Sequence, residues 1–211
     1  MSILLETIGV WARVLGSYNN EPTTGYSTHV RIATLGRFFI LVSAPSLGFL
    51  VDSGIETNQI ALIGFISFSF ISISILFFIK YGLNKFELVY KLLNKKNVLT
   101  SVLLININYS VINKVFLFWV FLSFLFTATG IIVVNMLATI IPEYRAMVVQ
   151  MSAVITMFGT IIHVFKIDPI LSKAADTNKE QLLKLTIEFL FARIIAAVII
   201  SIIFLNIYIW M

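Results

Sequence analysis

Long hydrophobic runs separated by short polar stretches dominate this sequence. Three windows carry no charged residue over a length that can cross a bilayer, at residues 59–79, 115–141 and 146–165. A bilayer core about 30 Å thick needs roughly 20 helical residues. Because backbone amides in lipid must find their hydrogen bonds within the same segment, such runs form helices. The pattern therefore predicts an all-α polytopic membrane protein.

Three further stretches are shorter or interrupted by charge. Residues 194–211 are free of charge and extend back past Arg193 and Glu188 to about residue 182. Residues 38–51 span only if the helix continues upstream through two arginines. Residues 2–16 contain two charges and predict a short or tilted first helix. We predict one transmembrane domain, residues 1–211, with about six helices at about 2–16, 29–51, 59–80, 113–141, 143–166 and 182–211.

A basic amphipathic stretch follows the third predicted helix. Its apolar residues recur at helical spacing among lysines, at Phe86, Val89, Tyr90 and Leu93. A basic amphipathic helix lies on a membrane surface more often than it crosses, so residues 83–97 are predicted to form an interfacial cytoplasmic segment. Residues 98–112 are apolar but contain two asparagines, and the pattern leaves open whether they enter the membrane.

Basic residues are concentrated in alternate predicted loops. The first, third and fifth loops hold nearly all lysines and arginines, whereas the second and fourth hold Arg145 beside Asp52, Glu56 and Glu143. The positive-inside rule then places the basic loops in the cytoplasm and both termini outside. If residues 2–16 do not span, the N-terminus is cytoplasmic and the other assignments stand. This asymmetry explains the net charge of +5, so no nucleic-acid partner is predicted.

Composition narrows the chemistry further. Apolar residues make up 59% of the chain and charged residues 12%, about half the charged share of a soluble domain. The absence of cysteine excludes disulfides, thiol catalysis and thiolate metal sites. His29 and His163 lie far apart in sequence and make a weak case for a metal, so we predict no metal and no other cofactor. The sequence has no glycine-rich phosphate loop with its lysine.

Charged residues at predicted membrane depth are the candidate functional residues. A charge there costs several kcal/mol unless it pairs, faces a cavity or acts on a ligand. In the second predicted helix, helical spacing aligns Arg37 with Gly48 and Asp52 on one stripe. Pro45 frees a backbone carbonyl there and predicts a kink. This helix lines a pathway on one interpretation and is a bent structural helix on the other.

Each remaining candidate residue has a structural explanation as well as a functional one. Glu6 and Arg13 fall on neighbouring faces of the first predicted helix, and Arg145 shares a stripe with His163. Arg13 and Arg31 are equally explained by snorkelling to cytoplasmic headgroups. His163 is more simply an interfacial histidine with one hydrogen bond than a proton relay. Stripes of small residues are usually helix-packing surfaces.

The turn "PEYR" at residues 142–145 has a local explanation for three of its four residues. Proline suits the first turn of a helix, Glu143 matches the positive helix terminus, and Tyr144 belongs at headgroup level. Arg145 opposes the helix dipole and needs a partner. The partner is Glu143, an acid on another helix such as Asp52, or an anionic ligand.

Three stretches carry a resemblance to a known family. They are "IIPEYRAMVVQMSAVITMFGTIIHVFKIDP" at residues 140–169, "ARVLG" at 12–16 and "GRFFILVSAPSLGFLVD" at 36–52. Together they resemble the Amj family, the alternative lipid II flippases. The resemblance implies a flippase and not an enzyme. Its substrate would be a polyprenyl-diphosphate-linked saccharide, lipid II or a related cell-envelope precursor, moved from the inner to the outer leaflet of the bacterial cytoplasmic membrane.

The resemblance also suggests roles for individual residues. Intramembrane arginines bind phosphate bidentately, and those implied for the diphosphate are Arg13, Arg31, Arg37 and Arg145. Residues implied for the pathway or for ion coupling are Glu6, Asp52, Glu143 and His163. Those with structural roles are Pro45, Gly48, Pro142, Asp168 and Pro169. The partners implied are the sugar lipid and membrane lipids, and the small-residue stripes fit a single chain or a homo-oligomer.

Two other classes of function remain open on the sequence. One is a membrane enzyme that acts on polyprenyl phosphates, which would need acids and histidines clustered at one membrane surface. The other is a non-catalytic envelope-assembly scaffold, in which the buried charges serve helix packing alone.

Overall fold

The structure, a computed structural model, describes residues 2–94 and 113–211, which fold into helices joined by short turns. The helices are α1 (Ser2–Gly9), α2 (Trp11–Tyr18), α3 (Pro22–Asp52), α4 (Thr57–Asn94), α5 (Lys114–Ile140), α6 (Arg145–Ile162), α7 (Asp168–Thr177) and α8 (Lys179–Trp210). A 3-10 turn, Pro142–Tyr144, precedes α6, and a π-helical turn, His163–Ile167, joins α6 to α7. The predicted all-α class is confirmed.

Within the described residues, five segments are long and apolar enough to cross a membrane, which makes the protein a multi-pass membrane protein. They are Pro22–Asp52, Thr57–Ile79, Lys114–Ile140, Pro142–Thr177 and Lys179–Trp210. Their directions alternate along the chain. We call the end of the bundle that holds Pro22 and Lys179 the lysine-rich end, and the end that holds Asp52 and Arg145 the opposite end.

The first predicted helix, residues 2–16, differs most from expectation. It consists of α1 and α2, each of 8 residues and so about 12 Å long. The pair lies against only the first half of α3. A Cβ atom on Gly16 would meet the backbone of Gly25 at 2.4 Å, and one on Gly36 would meet the backbone of Ser2 at 3.0 Å. Both charges of this short run find partners inside the bundle.

The second predicted helix begins earlier than the pattern indicated. α3 starts at Pro22, in the predicted loop, because proline at the first helical position gives up no hydrogen bond. Gly25 lies inside α3, where its lack of a side chain allows the close approach of α2. α8 also begins early, at Lys179, since the Asn178 side chain accepts a hydrogen bond from the amide of Gln181 and caps the helix.

The predicted interfacial segment, residues 83–97, is not a separate surface helix where the structure describes it. Residues 83–94 continue α4, which is 38 residues long. Phe86 and Tyr90, which suggested a lipid-facing surface, are buried, and Asn94 donates a hydrogen bond to Thr28 of α3 at 3.0 Å. Residues 95–112, which include the rest of that segment and the apolar stretch 98–112, lie outside the described part of the chain.

α8 is the central helix of the bundle, packed mainly between α4 and α5. Half of its apolar window is buried, against 11% of the window of α3. Phe204 of α8 stacks on Phe68 of α4 with ring centroids 5.8 Å apart. Small residues of α5 and α6 face each other where these two helices meet. A Cβ on Gly159 of α6 would lie 2.5 Å from the side chain of Thr127 of α5. Such close packing stabilises helix association in lipid, where the hydrophobic effect does not favour it.

Candidate functional site

A polar cavity of about 250 Å³ lies among α1, α2, α3, α5 and the π-helical turn, and we call it the charged cavity. Its acidic, basic and histidine lining residues are Glu6, Arg13, His29, Arg37, His163 and Asp168. Five of these six were candidates or structural residues in the sequence analysis; His29 was considered there only for a metal. Their sequence separations are large, so only the fold brings them together.

Arg13 is the centre of this group and its side chain is only 3% exposed. Its Nε donates to Nδ1 of His29 at 2.7 Å, and its Nη2 donates to Oδ1 of Asp168 at 2.5 Å. Its Nη1 is buried and has no hydrogen-bond partner among the described residues. Snorkelling therefore does not describe Arg13. One nitrogen of a fixed, buried guanidinium remains for a ligand.

The π-helical turn presents two of the cavity residues. Such turns are rare, and they frequently occur at functional sites. His163 begins the turn and Asp168 follows it, with Nε2 of His163 3.5 Å from the carboxylate of Asp168. Pro169 then occupies the first turn of α7, where its missing amide hydrogen costs nothing. Asp168, predicted only as a structural residue, is thus the acidic partner of Arg13.

Glu6 is paired with an arginine that was not among the predicted site residues. Arg193 of α8, 1% exposed, donates from Nη2 to Glu6 at 2.9 Å and from Nη1 to Thr7 at 2.6 Å. Its guanidinium also lies 4.3 Å from the ring centroid of Phe189. The signal for Arg193 was present, since it is an arginine within an apolar run, but its partner on α1 was not visible in the sequence.

Arg37 and Arg31, both predicted for the diphosphate, lie in different surroundings. Arg37 lines the charged cavity and forms no ion pair with a described residue. Arg31 is exposed, as Arg37 is, but it is not among the lining residues of this cavity. It follows His29 by two positions and so points about 200° around α3 from it. The grouping of Arg31 with the other arginines is not what the fold produces.

Arg145 meets Asp52, one of the three partners considered for it. Its Nη1 lies 2.7 Å from Oδ1 of Asp52, which joins the start of α6 to the end of α3. A cavity of about 610 Å³ beside this ion pair is lined by Pro142, Glu143 and Gly48 among others. A Cβ on Gly48 would meet nothing within 4 Å, so close packing does not require a glycine there.

The candidate charges therefore form two groups rather than one. Arg37 and Asp52 are fifteen residues apart on α3, which corresponds to about 22 Å along the helix. Arg13, Arg37 and His163 belong to the charged cavity, whereas Asp52, Glu143 and Arg145 belong to the opposite end. Alignment over several turns of one helix therefore does not place side chains in one cavity.

An apolar groove of about 520 Å³ lies between these two groups. The second half of α3 forms one wall, and α4 and α5 form the other. Thr127 of α5 lines both this groove and the charged cavity, so the two adjoin there. The flank of α3 beyond the groove is open, with Leu41 68% and Phe49 72% exposed. Pro45 lies in this half of the helix.

No three acids or histidines cluster as a metal site in residues 2–94 and 113–211. His29 and His163 do reach one cavity, but Nδ1 of His29 accepts a hydrogen bond from Arg13. That acceptor role keeps His29 neutral and removes one of its two ligand positions.

We compared the chain with models of known protein families, with curated proteins and with solved structures, and none of the three comparisons finds a match.

Proposed function

We propose that this protein is a flippase. It moves a polyprenyl-diphosphate-linked saccharide, lipid II or a related cell-envelope precursor, from the inner to the outer leaflet of the bacterial cytoplasmic membrane. The observation that carries the proposal is the meeting of the charged cavity and the apolar groove at Thr127. A lipid of this class joins an anionic diphosphate to a hydrocarbon chain, so it needs these two environments side by side. The resemblance of residues 140–169 to the Amj family supports the same function.

The diphosphate binds at Arg13 and Arg37. Arg13 is held in place by His29 and Asp168 and keeps its buried Nη1 free for a phosphate oxygen. Arg37 brings a second guanidinium with no acidic partner among the described residues to the same cavity. Guanidinium–phosphate hydrogen bonds are charge-assisted and strong where water is scarce.

The hydrocarbon chain lies in the apolar groove and continues into lipid past the open flank of α3. The groove is lined mainly by Phe, Ile, Leu and Val side chains. Binding the chain here requires no closed tunnel, because the rest of a long polyprenyl chain stays in the bilayer.

The charge asymmetry sets the orientation of the protein in this proposal. The lysine-rich end faces the cytoplasm, which places the charged cavity nearer the inner leaflet and the C-terminus outside. The first half of α3 and the pair α1–α2 lie on the cytoplasmic side, so the N-terminus does not reach the outer surface. The Asp52–Arg145 pair then closes the outer end. For the head group to leave, the second half of α3 has to swing away from α6 and break this pair.

One observation favours a second candidate, an enzyme acting on polyprenyl phosphates. His29, His163 and Asp168 surround the cavity that holds Arg13, which is the gathering of acid and histidine that such an enzyme needs. In that case the lipid would be chemically changed. Mass spectrometry of the lipid recovered from a transport reaction separates the two candidates.

The test compares two arginines of the same helix in liposomes that contain a fluorescent polyprenyl-diphosphate saccharide. Arg37→Gln removes a cation that lines the charged cavity, whereas Arg31→Gln removes one that does not. Both side chains are exposed, so the two variants differ in their position relative to the cavity. We expect Arg37→Gln to slow translocation by about 10- to 100-fold, the factor for one lost hydrogen-bonded charge contact. Arg31→Gln should keep the wild-type rate.

Three outcomes would count against this account. Equal translocation rates for both variants would contradict the proposed role of the arginines. If the wild-type protein does not move the lipid, the proposed flippase function is wrong. A lower membrane level of Arg37→Gln, with unchanged transport at matched protein level, would favour the scaffold.

A further inference from the structure

A second polar pocket of about 210 Å³ lies at the lysine-rich end, between the start of α3 and α7. We call it the hydroxyl-lined pocket, after Thr23 and Ser172, which line it together with Tyr26, Asp176 and Arg13. Two of these residues, Arg13 and Tyr26, also line the charged cavity. The pocket therefore adjoins the charged cavity on the side away from the apolar groove.

The polar groups of this pocket are available to a ligand. The hydroxyls of Thr23 and Ser172 donate no side-chain hydrogen bond within the described part of the chain, and Asp176 forms no ion pair there. Tyr26 is 44% exposed, although the guanidinium of Arg13 lies 4.8 Å from its ring centroid. The pocket thus offers hydroxyls, one carboxylate and the open part of an aromatic ring.

This set of groups discriminates between classes of ligand. A phosphate is disfavoured, because the carboxylate of Asp176 lines this pocket and repels an anion. A metal ion is disfavoured, because one carboxylate and two hydroxyls are poor ligands for the common divalent cations. A sugar ring fits all three features: its hydroxyls donate to a carboxylate and exchange hydrogen bonds with Thr and Ser, and its apolar face packs on an aromatic ring.

We propose that the hydroxyl-lined pocket is the subsite for the first sugar ring of the transported lipid, with Asp176 and Ser172 accepting from its hydroxyls. The inference rests on the proposed function and deepens it. The three spaces then follow the order of the lipid itself. The sugar lies beside Tyr26, the diphosphate lies between Arg13 and Arg37, and the hydrocarbon chain begins at Thr127.

The shape of the pocket predicts where selectivity resides. A volume of about 210 Å³ holds a single sugar ring, so the pocket reads the sugar next to the diphosphate, and the rest of a longer saccharide extends toward the cytoplasm. Asp176 is exposed at the rim and Ser172 is half-buried. The two residues are therefore positioned to determine specificity without holding α7 in place.

The experiment measures binding of two lipids to the full-length protein in nanodiscs. One is a polyprenyl diphosphate that carries a single N-acetylhexosamine, and the other is the same lipid without the sugar. The wild-type protein should bind the sugar lipid more tightly. Asp176→Ala should weaken binding of the sugar lipid by about tenfold, the factor for one hydrogen bond to a charged group, and leave the sugar-free lipid unchanged.

Glu180→Ala is the matched control, since Glu180 is an exposed acid at the same end and does not line the pocket. It should change neither affinity. Ser172→Ala, which removes only a hydroxyl, provides a second variant in case Asp176→Ala folds poorly, and it should weaken the sugar lipid alone. The subsite is overturned if the wild-type protein binds both lipids equally, or if Asp176→Ala weakens both lipids or neither. If the wild-type protein translocates neither lipid, the proposed flippase function is wrong, but the binding measurements still test the sugar subsite.

Discussion

The two halves of α3 belong to one continuous helix and yet have opposite surroundings. The first half is covered by α1 and α2, and Gly25 meets Gly16 at backbone distance. The second half has its apolar side chains exposed and packs less extensively, against α4 and α5. The first half holds His29 beside the buried guanidinium of Arg13, whereas the second ends in the partly exposed pair of Asp52 with Arg145.

One helix can therefore combine a fixed part and a part free to move. A buried charge pair is costly to break, because removing one partner leaves the other charge uncompensated. An exposed pair contributes little and is broken at little cost. The first half of α3 is therefore suited to hold a head group in defined geometry. The second half is suited to open toward lipid, and the following substitutions test this contrast.

The largest effect is expected at Arg193 of α8, whose partner Glu6 lies in α1, the helix that covers the first half of α3. Arg193→Met removes the buried guanidinium that binds Glu6 and Thr7. This should lower the free energy of unfolding by about 3 kcal/mol, the lower end for a buried pair, because Glu6 is one third exposed. Thermal unfolding in detergent measures the loss. Glu6→Gln in the same chain should restore part of it, because the uncompensated charge is gone. Equal stability of the single and double variants would show that the loss does not come from the charge of Glu6.

Two glycines of α3 give a matched pair with an intermediate effect. Gly25→Ala places a Cβ 2.7 Å from the carbonyl oxygen of Ala12, and such overpacking should destabilise the protein by about 1–3 kcal/mol. Gly48→Ala meets no atom within 4 Å and should stabilise the helix by about 0.5–1 kcal/mol, since alanine loses less conformational freedom. The unfolding midpoints should therefore move in opposite directions. A similar loss at both positions would mean that the second half of α3 is packed like the first.

The smallest effect on stability is expected at the opposite end. Asp52→Asn should change the free energy of unfolding by no more than about 1 kcal/mol, as for exposed ion pairs. Transport should nevertheless become faster, because a weakened closure lets the second half of α3 open more often. Cysteines introduced at positions 52 and 145 and joined by a thiol-reactive cross-linker should stop transport. The reaction is specific, as the chain has no other cysteine. Full transport by the cross-linked protein would rule out opening between α3 and α6.

Much of the fold was predictable because the bilayer dictates it. Uninterrupted apolar runs of spanning length form helices wherever lipid denies the backbone other partners, and the four longest predicted helices overlap observed ones. The boundaries were less accurate at Pro22 and along residues 83–94. There, the signals for a loop and for a surface helix were overruled by packing, as the burial of Phe86 and Tyr90 illustrates. Periodicity identifies a face of a helix, but not what covers it.

The candidate site was predictable in its residue types and not in its pairing. The cost of an intramembrane charge pointed to Glu6, Arg13, Arg37 and Arg145 from sequence alone. The same reasoning left three possible partners for Arg145. In the structure its partner is Asp52, at 2.7 Å. That reasoning did not predict that Asp168, 155 positions from Arg13, would be the acid that meets it.

The hydrophobic runs and the few charges among them already show that this protein crosses a membrane several times and that those charges must find partners within it. Hydrophobic length and helical period are local properties, and the bilayer acts on each segment separately. Only the tertiary structure decided which charges pair, that they form two groups about 22 Å apart along α3, and that an apolar groove lies between those groups. These depend on contacts between helices distant in sequence, where close approach at residues such as Gly16 and Gly159 sets the register.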